Sequence, residues 1–598
     1  LDRDEYQYVN IASYRKWILP GLLLGCRVRD FEQRCATVSQ LGPLILTMPA
    51  QDKRRATLQL KTISGTTFYV DVERVVRDTE NRRWTVTCLD SQRQPQVTGA
   101  LLQFYSGSNS KSASPITNGP LLTAIYGTRG SLAFPAPSLA NPSIRQHNGS
   151  LVQLNPEQAE AVARYNSSSC PSFIVEAPPG SGKTVTAAAM AVSYKGKGVQ
   201  LFLSTANVPV INMALALAKL DYGNLSPIHL ISAEFEEKCS EENRSPFSAL
   251  SLAKRNEELR EEIEEIEEEI AHAPNQEEKD ELRKELRDLL WSILDEPHDI
   301  YFATIDTILA RLFKQNKNGY SYVDAVKKLL QTRVERVVID EASQLTESAL
   351  NALVLCFPQA QIVLIGDSKQ MPPFKYTEDD IVSELAARPS LDVVKAKKNL
   401  PVINLSRVYR ASTSLIAHYS NVFYESSLVS CKQEVKNPLS CFGAGDNSRL
   451  LFWKVKHGHC KQEGTSKVND REIKALYHII KKLRESEIDK SDVMIISYYE
   501  AQRKKAVAEL KKHWTGYEVL TVDSAQGREK RIVIVLTTRT SVPAEGGEDF
   551  FNSAKRCNVA VSRHQEALIV LGHPSIAAAP NWTQVLSEKY FKHVEDNS

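Results

Sequence analysis

Long apolar runs are missing from this sequence. The stretch Trp17–Cys26 near its start is ten residues long and contains Pro20, whereas a membrane-spanning helix needs about 20. A basic, apolar, small-residue leader is missing too, so nothing reads as a secretory signal. The chain begins on Leu1 rather than Met; we expect it to be part of a longer protein, with any targeting segment outside it. Its 10 cysteines are scattered without a C-x-x-C pair. Cys441, His457, His459 and Cys460 lie close in sequence, but their spacing fits no standard zinc module. A reduced, intracellular protein without a zinc domain is expected. With 42% apolar and 24% charged residues, a disordered or fibrous chain is excluded. A length of 598 residues suggests roughly three or four domains.

A strong overall charge is lacking as well, but the net +2 hides an asymmetry. Between Lys254 and Leu290, 15 acidic residues face 7 basic ones, a balance of −8 that leaves +10 on the rest. A mildly basic body with one acidic appendage is compatible with a polyanionic partner.

Period-two alternation runs from Leu44 to about Leu89, through Thr57–Lys61, Thr67–Val72 and Trp84–Cys88. Short strands at this spacing predict a small β-barrel or sandwich. Residues Ser106–Ser150 are rich in Ser, Gly, Asn and Pro and read as a linker or returning segment. Beyond Leu151 the pattern changes. Apolar runs at Phe173, Leu201, Ile300, Val337 and Ile362, then at Leu451, Val493, Ile532 and Leu568, alternate with helical stretches. That is the pattern of an α/β fold with buried parallel sheets, arranged as two lobes in tandem. Within the first series, Ile263, Ile266 and Ile270, then Leu282, Leu286 and Leu289, recur at helical spacing around Ala273-Pro-Asn. Two antiparallel helices joined by a turn are predicted there.

Residues Phe173–Thr184 read FIVEAPPGSGKT, a strand and a glycine-containing loop that opens a helix. Gly180 and Gly182 let backbone amides wrap phosphate oxygens, and the helix N-terminus adds its positive end. Lys183 is expected to neutralise the β- and γ-phosphates and the Thr184 hydroxyl to bind magnesium. Ser181 and Val185 complete the nucleotide-binding run. The strict phosphate-loop pattern starts with Gly, where this chain has Ala177. A second strand ends in Val337-Val-Ile-Asp-Glu, delivering Asp340 to hold magnesium and Glu341 to polarise the attacking water. A third, Ile362–Ile365, leads to Gly366-Asp-Ser-Lys-Gln, where Gln370 can bond both a γ-phosphate and the lytic water.

In this order the motifs resemble those of superfamily 1 helicases, in the branch of the up-frameshift (nonsense-mediated decay) helicase, senataxin and the immunoglobulin mu-binding helicase. The resemblance runs from about Leu154 to Gly572, roughly 70% of the chain. Leu154-Asn-Pro-Glu-Gln resembles the Q motif, which implies that Gln158 reads the adenine edge. Ser204–Val208 and Ala303-Thr304 resemble strand-contacting loops, implying that Thr205, Asn207 and Thr304 touch nucleic-acid backbone. Leu405-Ser-Arg-Val-Tyr-Arg resembles motif IV, with Tyr409 on the base and Arg410 at the γ-phosphate. Tyr499-Glu-Ala-Gln-Arg resembles the block that follows. Val522–Lys530 resembles motif V, with Gly527 and Glu529 near the sugar, and Asn558–Arg563 resembles motif VI, with Arg563 as a second arginine finger. Val408, Ser562 and His564 depart from the family's usual Gln, Thr and Ala.

The resemblance implies two RecA-like lobes (151–233 with 297–400, and 401–598), a helical insertion (234–296) and a β-barrel (30–105) held by a stalk (1–29) and a returning linker (106–150). It implies an ATP- and Mg2+-dependent motor moving 5′→3′ on single-stranded RNA or DNA. A monomer is expected, with no membrane and with possible protein regulators on the barrel, the insertion or the termini. Two rivals are a non-unwinding ATPase that remodels ribonucleoprotein and a binding scaffold without turnover.

Overall fold

The computed structural model describes residues 143–596 apart from 168–169, 232–234, 236–243, 314–322, 375–387, 444–447 and 542–549, together with residue 137 and four strands upstream. Those strands, β1 (Ala56–Lys61), β2 (Thr67–Asp78), β3 (Arg83–Cys88) and β4 (Leu101–Leu102), pair antiparallel in the order β3-β2-β1-β4. The first three fall where period-two alternation is clearest, and β4 lies beyond it. The expected stalk and nearly all of the expected linker lie outside the described residues.

A short hairpin, β5 (Ser143–Arg145) and β6 (Leu151–Gln153), leads into the first lobe. The lobe's sheet contains β7 (Ser172–Glu176), β8 (Val199–Ser204), β9 (Pro227–Leu230), β10 (Ile300–Thr304), β11 (Val334–Ile339), β12 (Gln361–Gly366) and β13 (Val402–Asn404). All seven are parallel, in the order β13-β7-β12-β11-β8-β10-β9. Its central strands are largely apolar because both faces are covered. Along β12, Ile362 and Leu364 join one core and Val363 and Ile365 the other.

The first sheet extends past the boundary expected at residue 400, because β13 pairs with β7. Three residues behind Pro401 carry no readable period, so β13 gives no signal of its own. Between β9 and β10 stand two helices, Glu257–His272 and Gln276–Asp295, each capped by an Asn side chain. Ile263, Ile266 and Leu290 are buried along them, and Lys254 pairs with Glu267 at 2.6 Å.

The second lobe starts with a parallel pair, β14 (Arg407–Ser412) and β15 (Val429–Lys432). Its main sheet holds β16 (Leu450–Lys454), β19 (Val493–Ser497), β20 (Glu518–Thr521), β21 (Lys530–Leu536), β22 (His564–Gly572) and β23 (Lys592–Glu595). They run parallel in the order β20-β19-β21-β22-β16-β23, and β17 (Lys461–Glu463) with β18 (Ser466–Val468) forms a hairpin beside them. Both faces are again covered: Val533 and Val535 enter one core, Ile532 and Ile534 the other. No helix among the described residues is long and apolar enough to cross a membrane.

One buried carboxyl in this lobe should leave a signature in stability. Glu472 is 0% exposed, and both its oxygens accept from Thr538 N, at 2.8 and 3.0 Å. Thr538 has φ 67°, a left-handed conformation rare for a β-branched residue, and the carboxyl holds that turn. Burial pushes Glu472 up to about 8, against the hydrogen bonds from Thr538, Thr537 and Gln502. The folded chain therefore keeps a proton that the unfolded chain has already lost, and stability falls as pH rises from about 4.5 to about 8. The uncharged Glu472→Gln variant should show a flatter profile of thermal midpoint over that window. A slope equal to the wild type would place the proton uptake elsewhere.

Candidate nucleotide site between the lobes

The Ala177–Gly182 loop connects β7 to the helix Lys183–Ser193. Gly180 has φ 76° and Gly182 φ 83°, conformations a side chain rarely adopts. Close approach adds a second constraint. A Cβ on Gly180 would lie 2.4 Å from Arg410 Cβ, and one on Gly182 would lie 2.7 Å from Gln158 Nε2. The second lobe rests directly on the loop, where Tyr409 N donates to Gly180 O at 2.8 Å. Ala177 is buried at the strand end, and its N–H is bonded to Gly366 O at 2.8 Å. It stands away from the two glycines at the tip of the turn.

Lys183 opens the helix and points at the ends of β11. Its Nζ is bonded to Glu341 Oε1 and lies 3.4 Å from Asp340 Oδ1. Burial disfavours the charge on Lys183, but Asp340 and Glu341 outweigh it and raise its pKa. Burial raises Asp340, whereas Lys183, Gln526 and Arg563 overcome burial at Glu341 and hold it below the usual carboxylate range. Glu341 has φ 54°, at a cost of about 1–3 kcal/mol that is accepted where geometry is functional.

These groups line a cavity of about 960 Å³, within the size range of small-ligand sites. The first lobe contributes Gly180, Gly182, Lys183, Thr184 and Val185 from the loop and helix, and Asp340, Glu341 and Gln370 from the β11 and β12 ends. The second lobe contributes Tyr409, Arg410, Gly527, Glu529 and Arg563. Gln158 and Ser181 stand behind this lining. Gln158 Oε1 accepts from Asn155 N in a capping box, and its amide nitrogen faces Gly182. The Ser181 hydroxyl is buried and, among the described residues, has no hydrogen-bond partner. Tyr409 is 44% exposed, and its hydroxyl accepts from Asn155 Nδ2 at 3.0 Å.

Both arginines are held by their own lobe. Arg410 is bonded to Glu529 and donates to Ser562 O at 2.9 Å. Arg563 donates to Val559 O at 3.2 Å and to Ser562 Oγ at 2.7 Å. Burial, with the nearby Arg410, lowers Arg563 to about 10. Two guanidinium groups facing one cavity create a site that favours a polyanion.

Thr205, Asn207 and Thr304 do not line the cavity. Thr205 is exposed just past β8, and Asn207 begins the helix Asn207–Ala218. Thr304 Oγ1 accepts from Thr307 N at 3.3 Å, as a helix-capping hydroxyl does. Among groups that sequence reasoning missed, Gln526 donates to Glu341 Oε2 across the cleft at 3.1 Å. Lys555 likewise reaches Asp392 of the first lobe at 3.2 Å. Met371, just after Gln370, is buried in the core of the second lobe, where a methionine side chain stabilises by about 1.5–3 kcal/mol. Burial pushes Asp367 up to about 6 in the same loop, partly offset by hydrogen bonds from Tyr424 and Lys369 N.

Two AAA domain models match the chain, over residues 153–378 and 389–575. An uncharacterized ATP-dependent helicase of Caenorhabditis elegans is 31% identical over 44% of this chain and 18% of its own length. The regulator of nonsense transcripts 1 homolog of Arabidopsis thaliana is 27% identical over 74% of this chain and 34% of its own. The probable helicase senataxin of Mus musculus is 29% identical over 42% of this chain and 10% of its own. The chain thus spans about a third of these curated relatives, or less.

Proposed function

We infer, from a chain that belongs to the superfamily 1 helicases in the branch of the regulator of nonsense transcripts 1 and senataxin, that its two lobes form a motor driven by ATP hydrolysis. The observation carrying this reading is one cavity lined by Lys183 and Glu341 from one lobe and by Arg410 and Arg563 from the other. Phosphoryl transfer depends on placing positive charge around the γ-phosphate oxygens, and here that charge comes from both sides of a cleft.

In this reading the triphosphate lies along the Gly180–Gly182 backbone, and Lys183 exchanges Glu341 for phosphate oxygens. Glu341, released, orients the attacking water, with the Gln370 amide beside it. Tyr409 offers its ring to the base and Gln158 its amide to the adenine edge, while Gly527 and Glu529 border the sugar. A divalent cation fits the donors present, because the Thr184 hydroxyl and Asp340 are hard oxygen ligands and the buried Asp340 charge would be relieved by a cation. Mg2+ held there supplies charge neutralisation on the β- and γ-phosphate oxygens.

Because Arg410 and Arg563 complete the site from the second lobe, hydrolysis follows closure of the cleft, and closure shifts the strand-gripping surfaces of the lobes. Thr205, Asn207 and Thr304 are proposed to meet the backbone of single-stranded RNA or DNA, stepped 5′→3′. The segment 30–105, as a β-barrel between a 1–29 stalk and a 106–150 return, and the insertion 234–296 are proposed to roof that channel and to receive protein regulators. The lobe assignment, 151–233 with 297–400 and then 401–598, the monomeric state and an intracellular location belong to the same proposal.

The test is phosphate release from ATP with and without single-stranded RNA and DNA, followed by unwinding of duplexes with 5′ and 3′ tails. Strand-stimulated release with unwinding of the 5′-tailed duplex is expected. Stimulated release without unwinding selects the remodelling ATPase, and no release selects the scaffold.

A further inference from the structure

The loop after β12 belongs to the first lobe by sequence, yet it is tied to the second by buried polar atoms. Asp367 Oδ2 accepts from the Gln370 amide at 2.8 Å and from the Tyr424 hydroxyl. Asp367 Oδ1 accepts from Lys369 N at 2.9 Å, which closes the turn. From the second lobe, Asn558 Nδ2 donates to the Tyr424 oxygen at 2.7 Å and to Lys369 O at 3.0 Å. Asp367, Gln370, Tyr424 and Asn558 are all buried, so water does not compete for these bonds. Asn558 lies on the helix Ala554–Val561, which ends just before Arg563. Met371 anchors the same loop in the second-lobe core.

We propose that Tyr424 is a positioning residue for hydrolysis. Its hydroxyl, acting through Asp367, fixes the direction of the Gln370 amide and couples it to the helix that precedes Arg563. The inference rests on the nucleotide reading above and deepens it. Tyr424 touches no substrate. It holds a donor that would otherwise rotate, because Asp367 is the only group that orients Gln370 Nε2 among the described hydrogen bonds. The hydroxyl is saturated, giving its one hydrogen to Asp367 and accepting from Asn558. Its removal leaves Asp367 short of a donor and Asn558 short of an acceptor while the ring still fills its place. Gln370 would then respond to the position of the second lobe as well as to the nucleotide.

The experiment is steady-state ATP hydrolysis, stimulated by single-stranded nucleic acid, by the wild type, Tyr424→Phe, Gln370→Ala and the double variant. Tyr424→Phe should lower kcat by roughly 10- to 100-fold, the scale of a catalytic group misplaced by up to about 1 Å. The KM for ATP should change by less than about threefold, since the loop and Lys183 are untouched. Added to Gln370→Ala, it should cause no further loss, because it acts through that side chain. Asp367→Asn, which puts an amide where two donors converge, should behave in the same way and serves if Tyr424→Phe does not fold. A wild-type kcat in Tyr424→Phe overturns the inference, as does a full second loss on the Gln370→Ala background. A lowered thermal midpoint with unchanged kcat per folded molecule also overturns it, by assigning the hydroxyl to stability alone. A wild type with no strand-stimulated hydrolysis removes the nucleotide reading and this inference together.

Discussion

Replacing Arg563 by Ala should leave ATP bound and lower kcat by roughly 10³- to 10⁵-fold, the contribution of an arginine finger in related phosphoryl transfers. The reason lies in where the guanidinium is held. It is 2% exposed, fixed by Val559 O and Ser562 Oγ on its own lobe, and placed on the cavity wall opposite Lys183. Burial and the neighbouring Arg410 lower its pKa to about 10, so the folded chain spends stability on keeping a second cation there. An incoming triphosphate relieves that strain, most fully as charge builds on the γ-phosphate oxygens. Ground-state binding relies on the loop amides and Lys183, so affinity for a non-hydrolysable ATP analogue should move by less than about tenfold. Arg563→Lys should recover little, because a compact ammonium cannot reproduce the planar fork. Single-turnover hydrolysis with a parallel binding measurement checks this. A kcat within about threefold of the wild type would remove Arg563 from the reaction.

Glu341→Gln should be nearly as severe, with kcat down by roughly 10²- to 10⁴-fold. The substitution keeps the shape, but its single amide oxygen can replace only one of the two carboxylate oxygens that accept from Lys183 and Gln526. What it loses is the capacity to draw a proton from water. Lys183, Gln526 and Arg563 together hold Glu341 ionised despite its burial, so the base is already charged when a nucleotide arrives. The variant should bind ATP and remain closed on the strand, so strand affinity with ATP should rise as phosphate release stops. Release at more than about a tenth of the wild-type rate would show that another group polarises the water.

Much of the architecture was legible because its signals are local. Both faces of each sheet are covered, so β12 and β21 appear as unbroken apolar runs, and the β7-loop-helix unit is written in consecutive residues. Short strands were not legible. β9, β13, β20 and β23 are three or four residues long, too short for any period to show, and β13 moved the end of the first sheet past the expected boundary. The helix pair was readable from its isoleucine and leucine spacing, and the structure adds Asn256 and Asn275 as its caps. Thr304 shows how an isolated residue leaves its role open: a hydroxyl at a strand end suits a backbone contact and a helix cap equally well, and only the structure adds its hydrogen bond from Thr307 N, that of a cap.

The sequence by itself determined the two parallel sheets and singled out the Gly180–Thr184 loop and the Asp340-Glu341 pair, because each is encoded in a short run whose chemistry is independent of the rest of the chain, while Arg410 and Arg563 were singled out by the resemblance of their motifs. Only the tertiary structure decided that Arg410 packs on Gly180, that Gln526 reaches Glu341, and that Asp367 meets Tyr424. Those partners stand 185 residues apart in the case of Gln526 and Glu341 and 57 in the case of Asp367 and Tyr424. Contacts between lobes arise from how two finished surfaces meet, and no local pattern of apolar spacing or turn residues records that meeting.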